Sequence, residues 1–135
     1  MENATARGRT IRFVYGLLAA GLLVCIVLQV FLAGMGIFVD ADNLEMHRAF
    51  ANYFEFVPII LFILSFFGQI RGSLRWLTLV VFAVSILQHM TIQVFTGPLQ
   101  ALHAVDALIL FGISWLLARR SWAWLAFKPA ARTPE

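Results

Sequence analysis

Residues 13–39 read FVYGLLAAGLLVCIVLQVFLAGMGIFV, an apolar run in which Gln29 is the one strongly polar side chain. A helix crosses a hydrocarbon core with about 20 residues, whereas the apolar segment of a cleaved signal peptide holds only about 7–15. The run therefore reads as a retained transmembrane helix, although Arg7, Arg9 and Arg12 ahead of it resemble the basic start of a signal. Gly16, Ala20 and Gly21 supply the small residues with which helices approach one another in lipid.

Three further apolar runs follow, and the four together use up the 135 residues. With 61% hydrophobic residues and a mean hydropathy of +0.87, the composition excludes an ordinary soluble domain, in which about half the residues are apolar. The expected fold is all-α: a four-transmembrane up-down bundle of two tandem helical hairpins related by a pseudo-two-fold axis. Its helices are expected over residues 12–39, 43–69, 74–95 and 98–118 of one integral membrane domain spanning residues 1–135.

Local signals set those boundaries. Asp42 with Glu45 three residues later has the form of a capping box, and Pro58 should kink the second helix and free the carbonyl of Phe54. Arg71 and Arg75 bracket a Gly72-Ser73 turn, and Gly97 as cap with Pro98 at the first position should start the fourth helix. A polar tail precedes the first helix. A basic, aromatic tail follows the last, with Arg119, Arg120, Trp122, Trp124, Phe127 and Lys128 suited to a headgroup interface.

The net charge of +3 does not point to nucleic acid, because the basic residues cluster at the ends of apolar runs rather than on one face. Nine of the ten fall at the N-terminus, in the middle turn or in the tail, and Arg48 alone lies elsewhere. The positive-inside rule then gives a multi-pass protein of the plasma (inner) membrane with both termini cytoplasmic. Cys25 is the only cysteine, so neither a disulfide framework nor a multi-cysteine metal site is available.

Residues 45–55, EMHRAFANYFE, place a histidine, an arginine, an asparagine and a carboxylate where the chain enters hydrocarbon. Such groups are costly there unless they face a protein interior, a cavity or a cofactor. Gln88, His89 and Gln93 lie in the third helix, His103 and Asp106 at the start of the fourth. Gln29-Val30-Phe31 leads through Gly34 to His47, and Gln93-Val94-Phe95 leads through Gly97 to His103, a weak internal repeat.

At about 1.5 Å per residue the two histidines lie at nearly equal depth, on helices that two tandem hairpins place diagonally. That arrangement suits two axial ligands of one haem b iron. Arg48 would meet the propionates, and Gln29, Gln93 and Asp106 would hydrogen-bond the imidazoles. His89 is the runner-up ligand, with pairing to Gln88, Glu55 or the fourth helix as its structural alternative. Glu55, Asn52 and Gln88 complete the polar interior, where Glu55 and Asp106 must be paired, neutralised or used as a proton relay. A zinc ion would need His47, His103, Asp106 and Glu45 to converge, which diagonal helices disfavour.

The Gln-Val-Phe-Leu-Ala-Gly run, the His-Arg-Ala start of the second helix and the Leu-His-Ala-Val-Asp-Ala-Leu-Ile-Leu-Phe start of the fourth resemble a bacterial four-helix membrane family of unestablished function. More distantly, Glu-Met-His-Arg and His103 resemble one four-helix half of haem A synthase and small membrane b-type cytochromes. That resemblance implies His47 and His103 as haem ligands. It departs from the synthase in that Glu45 stands two residues before its histidine instead of three, and the second half is missing.

Three functions remain open: a haem-binding electron carrier or redox or haem sensor, a cofactor-free accessory or binding subunit of a membrane complex or transporter, and a half-size relative of haem A synthase acting as a homodimer. No catalytic acid, base or nucleophile stands out, so enzymatic activity is not the leading expectation. The expected partners are the lipid bilayer and a redox partner or quinone.

Overall fold

A computed structural model describes the backbone of residues 2–126 and the side chains of residues 6–123. Phe127, Lys128 and the side chain of Trp124, expected in an interfacial tail, lie outside the described residues. The elements are helices α1 (Glu2–Phe38), α2 (Asn43–Phe54), α3 (Val57–Phe67) and α4 (Ser73–Gln93), a 3₁₀ turn (Gly97–Ala101) and helix α5 (Leu102–Ala126). Among the described residues four spans are long and apolar enough to cross a membrane, with α2 and α3 together forming the second and the 3₁₀ turn with α5 forming the fourth. This is the all-α, four-span up-down bundle that the apolar runs imply.

Packing places the four spans at the corners of a square. Helix α1 lies against α2, α3 and α5, and α4 lies against α3 and α5. The second and fourth spans are therefore diagonal, as are the first and third. Each span buries one stripe at helical spacing: Tyr15, Ala19, Leu22 and Ile26; Phe54, Pro58, Leu61 and Ser65; Leu74, Thr78, Val81 and Ser85; Leu110, Ser114, Leu117 and Ser121. Most of the other large apolar side chains face outward, as hydrocarbon permits.

The stripes repeat residue for residue. Every position of the α1 stripe recurs 59 residues later in α4, from Tyr15 with Leu74 to Ile26 with Ser85. Every buried position of the second span recurs 56 residues later in the fourth, from Phe54 with Leu110 to Ser65 with Ser121. The difference arises because the second hairpin is joined by a shorter connection. The pseudo-two-fold relation is thus carried by the core.

Small hydroxyl side chains let the helices approach closely, and most are satisfied within their own helix. Ser65 donates to Phe62 O, Thr78 to Arg75 O, Ser85 to Val81 O and Ser121 to Leu117 O, at 2.6 to 2.9 Å. At the arginine-rich end, Arg12 Nε donates to Gly68 O and Tyr15 Oη to Leu74 O, tying α1 to the turn between α3 and α4. Arg75 donates to Ser65 Oγ and Ile70 O and lies 4.0 Å from the centre of the Phe66 ring. At the opposite end Gly36 is buried where a Cβ would meet the Leu44 side chain and oblige it to shift, so glycine eases the close approach of α2 to α1.

Several boundaries differ from expectation. The second span is broken rather than kinked: Glu55 and Phe56 form a turn, and Pro58 sits in the first turn of α3, where its missing N–H needs no partner. The Asp42–Glu45 capping box is not made. Instead Asp40 Oδ1 accepts from Asp42 N at 3.0 Å, and Asn43 Nδ2 donates to Asp40 O. Thr96, not Gly97, caps the 3₁₀ turn, with Gly97 taking φ 60° inside it. Helix α1 already includes the polar residues from Glu2, and α5 continues through Arg119, Arg120 and Trp122 to Ala126, since no helix breaker intervenes.

The stripes make a mutational contrast. Leu61, fully buried, is expected to cost about 2–4 kcal/mol on replacement by Ala, while Ile63→Ala on the lipid face should cost under about 0.5 kcal/mol. Thermal unfolding in detergent micelles measures both.

Candidate functional site

At the end of the bundle away from the arginine-rich turn, α1 and α4 each present a glutamine one turn beyond the last residue of their buried stripe. Gln29 Nε2 donates to the backbone carbonyl of His47 at 2.6 Å, and His47 Nδ1 lies 3.0 Å from the backbone carbonyl of Gln29. The second hairpin repeats the pattern: Gln88 Nε2 donates to His103 O at 3.2 Å, and His103 Nδ1 lies 3.0 Å from Gln88 O. Thr91 adds to this second clasp, its hydroxyl donating to Gln88 O and lying 3.1 Å from His103 Nδ1.

This geometry fixes the chemistry of both rings. A carbonyl oxygen only accepts, so Nδ1 carries the proton and donates in each case, which leaves Nε2 as the nitrogen with a free lone pair. No hydrogen bond engages either Nε2 among the described residues. The two imidazoles meet across the diagonal with ring centroids 6.2 Å apart and planes at 76°. Both are half-buried.

Gln29 reaches His47 as expected, but its imidazole contact is made by the backbone carbonyl. Gln93 is exposed and makes no hydrogen bond to His103 among the described residues, because the true register makes Gln88 the counterpart of Gln29. The matching Gln-Val-Phe strings therefore gave the wrong offset. The signal that gives the right one is the 4-3-4-3 spacing from Tyr15 to Gln29, which recurs from Leu74 to Gln88. Thr91, missed in the sequence, is three residues beyond Gln88 on the same face.

Asp106 is buried at 4% exposure one turn beyond His103, and the expected hydrogen bond to an imidazole is not formed: its Oδ2, like Gln29 Oε1 and Ser114 Oγ, has no hydrogen-bond partner. Arg48, Glu45 and Asn52 are exposed. His89 is held apart from the two clasped histidines, with Nδ1 3.2 Å from Ser85 O and Nε2 3.4 Å from Glu55 Oε2. Among the described residues no group of three or more His, Cys, Asp or Glu side chains is placed to share a metal ion, so the zinc set His47, His103, Asp106 and Glu45 does not converge.

Residues 29–97, just over half of the chain, match a family of unknown function, DUF6220. The match takes in both clasping glutamines, His47, Glu55 and His89, and ends before His103 and Asp106. No curated protein matches the chain, and no solved structure does. The chain, a multi-pass membrane bundle built from two repeated hairpins, belongs to the DUF6220 family of unknown function.

Proposed function

We propose that this protein binds one b-type haem between His47 and His103 and uses it for electron transfer or for redox or haem sensing. The observation that supports this most is the placement of the two imidazoles. An imidazole–metal bond is about 2 Å, and the ring centre lies roughly 1.1 Å behind the nitrogen, so two imidazoles on opposite sides of one ion have centroids about 6 Å apart. The separation here is 6.2 Å, and each ring already holds the tautomer that a ligand needs. A haem held by His47 and His103 would supply reversible one-electron chemistry, as an electron carrier requires.

The chain supplies the rest. Carbonyls of Gln29 and Gln88 orient the rings, as hydrogen bonds to the far nitrogen do in metal sites generally. Arg48, exposed beside His47 at the wet end, is suited to propionate carboxylates. The half-size synthase reading gains nothing from Glu45, which is exposed at the start of α2 and reaches no histidine. We place the protein in the plasma (inner) membrane with both termini cytoplasmic, because nine of its ten basic residues lie at one end or in the terminal segments.

Protein purified from haem-replete cells should be red, with a low-spin spectrum and a sharp α-band on reduction. His47→Ala and His103→Ala should each abolish the low-spin bands, His89→Ala should leave them, and Arg48→Ala should weaken haem retention without changing the ligand field. A colourless preparation would sink the haem reading and favour a cofactor-free accessory subunit. Gln88→Ala keeps the carbonyl that meets His103 Nδ1 but removes the amide bond to His103 O, and should lower haem retention about tenfold by loosening the clasp, while Gln93→Ala should have no effect, as measured by haem transfer to apomyoglobin. Single cysteines at Ala41 and Ser73 should label from the periplasmic and cytoplasmic sides respectively, and the reverse result would invert the topology.

A further inference from the structure

We infer that Glu55 and His89 form a binding site for a quinone or quinol that enters laterally from the bilayer. The pair is where the internal repeat breaks. At the 56-residue offset Glu55 corresponds to Phe111, and at the 59-residue offset His89 corresponds to Val30. Phe111 and Val30 are 40% and 56% exposed and face lipid. A carboxylate and an imidazole thus occupy positions that the other hairpin gives to lipid-facing apolar side chains. Their own side chains remain 19% and 35% exposed within two membrane spans.

Polar groups opening onto hydrocarbon call for a partner that hydrocarbon can deliver. His89 Nδ1 donates to Ser85 O, which leaves Nε2 facing Glu55 Oε2 at 3.4 Å. An imidazole nitrogen and a carboxyl group side by side can between them donate to and accept from a ligand once their mutual contact opens, which matches a hydroxyl or carbonyl on a ring that is both reduced and protonated. The carboxylate disfavours an anionic lipid headgroup.

Two further features favour a flat ring. The regular helix is interrupted between α2 and α3 at Glu55 and Phe56, so Glu55 stands at a turn within the second span. Phe56, the residue after Glu55, packs against Phe82 with centroids 6.5 Å apart, and Phe82 lies two turns from His89 on the same side of α4, so an aromatic pair adjoins the polar one. The position is also apt for the haem reading, on which it rests only for the destination of electrons: Gln88, which clasps His103, is the residue before His89.

The test uses full-length protein in nanodiscs and a photoreactive azido-quinone, with decylubiquinone as competitor. Label should concentrate in residues 53–60 and 82–93 and be suppressed by the competitor. Glu55→Gln should lower it about tenfold, the loss expected for one hydrogen bond to a charged group. The double variant Glu55→Phe, His89→Val installs the residues of the other hairpin; it should fold with unchanged helicity and thermal midpoint and lose competable label. Label spread over the lipid face, or unchanged in both variants, overturns the site. A colourless protein that labels there sinks the haem reading alone, and a red protein that does not label sinks this site alone.

Discussion

One glutamine acting twice joins each histidine-bearing span to its neighbour. The side-chain amide of Gln29 donates to the backbone of His47 while the Gln29 backbone carbonyl accepts a hydrogen bond from His47 Nδ1, and Gln88 does the same with His103. Hydrocarbon supplies no substitute for such bonds, so a polar residue at this depth must find its partner in the protein. A backbone carbonyl has two lone pairs, which lets Gln29 and Gln88 accept from a histidine without giving up the helix. The result is a ring whose orientation and tautomer are both set by main chain, the least adjustable part of the structure.

The clasps acquire their common level from the repeated core. Because the buried stripes of the two hairpins coincide at fixed offsets, the glutamines that follow them sit at equivalent places, and the histidines they hold meet across the diagonal at 6.2 Å. The symmetry extends to packing but not to charge. Asp106 corresponds to Phe50, Glu55 to Phe111 and His89 to Val30, so each of these three ionisable groups belongs to one hairpin only. A duplicated frame holds the paired imidazoles, and the unpaired additions distinguish one side of it from the other.

Much of the frame was legible along the chain. Four apolar runs of spanning length, punctuated by Arg-Gly-Ser, Thr-Gly-Pro and an acidic loop, determine four helices and their alternation, because hydropathy and helix breaking are local properties. The two tandem hairpins determine that the second and fourth spans are diagonal. His47, His103 and Gln29 stood out for the same reason: polar side chains are rare in such runs.

What the sequence could not give was the register between helices and the choice among chemically equivalent partners. Gln93 and Gln88 are both glutamines near the end of one helix, and only packing of α4 against α5 selects Gln88, because a clasp needs its amide and its carbonyl on the side facing His103. Glu55 was free to pair with several groups until the break before Pro58 and the packing of α3 against α4 brought it to His89. Spacing along a helix follows from 3.6 residues per turn and can be counted in the chain, whereas contact between helices depends on how side chains of different spans fill the space between them.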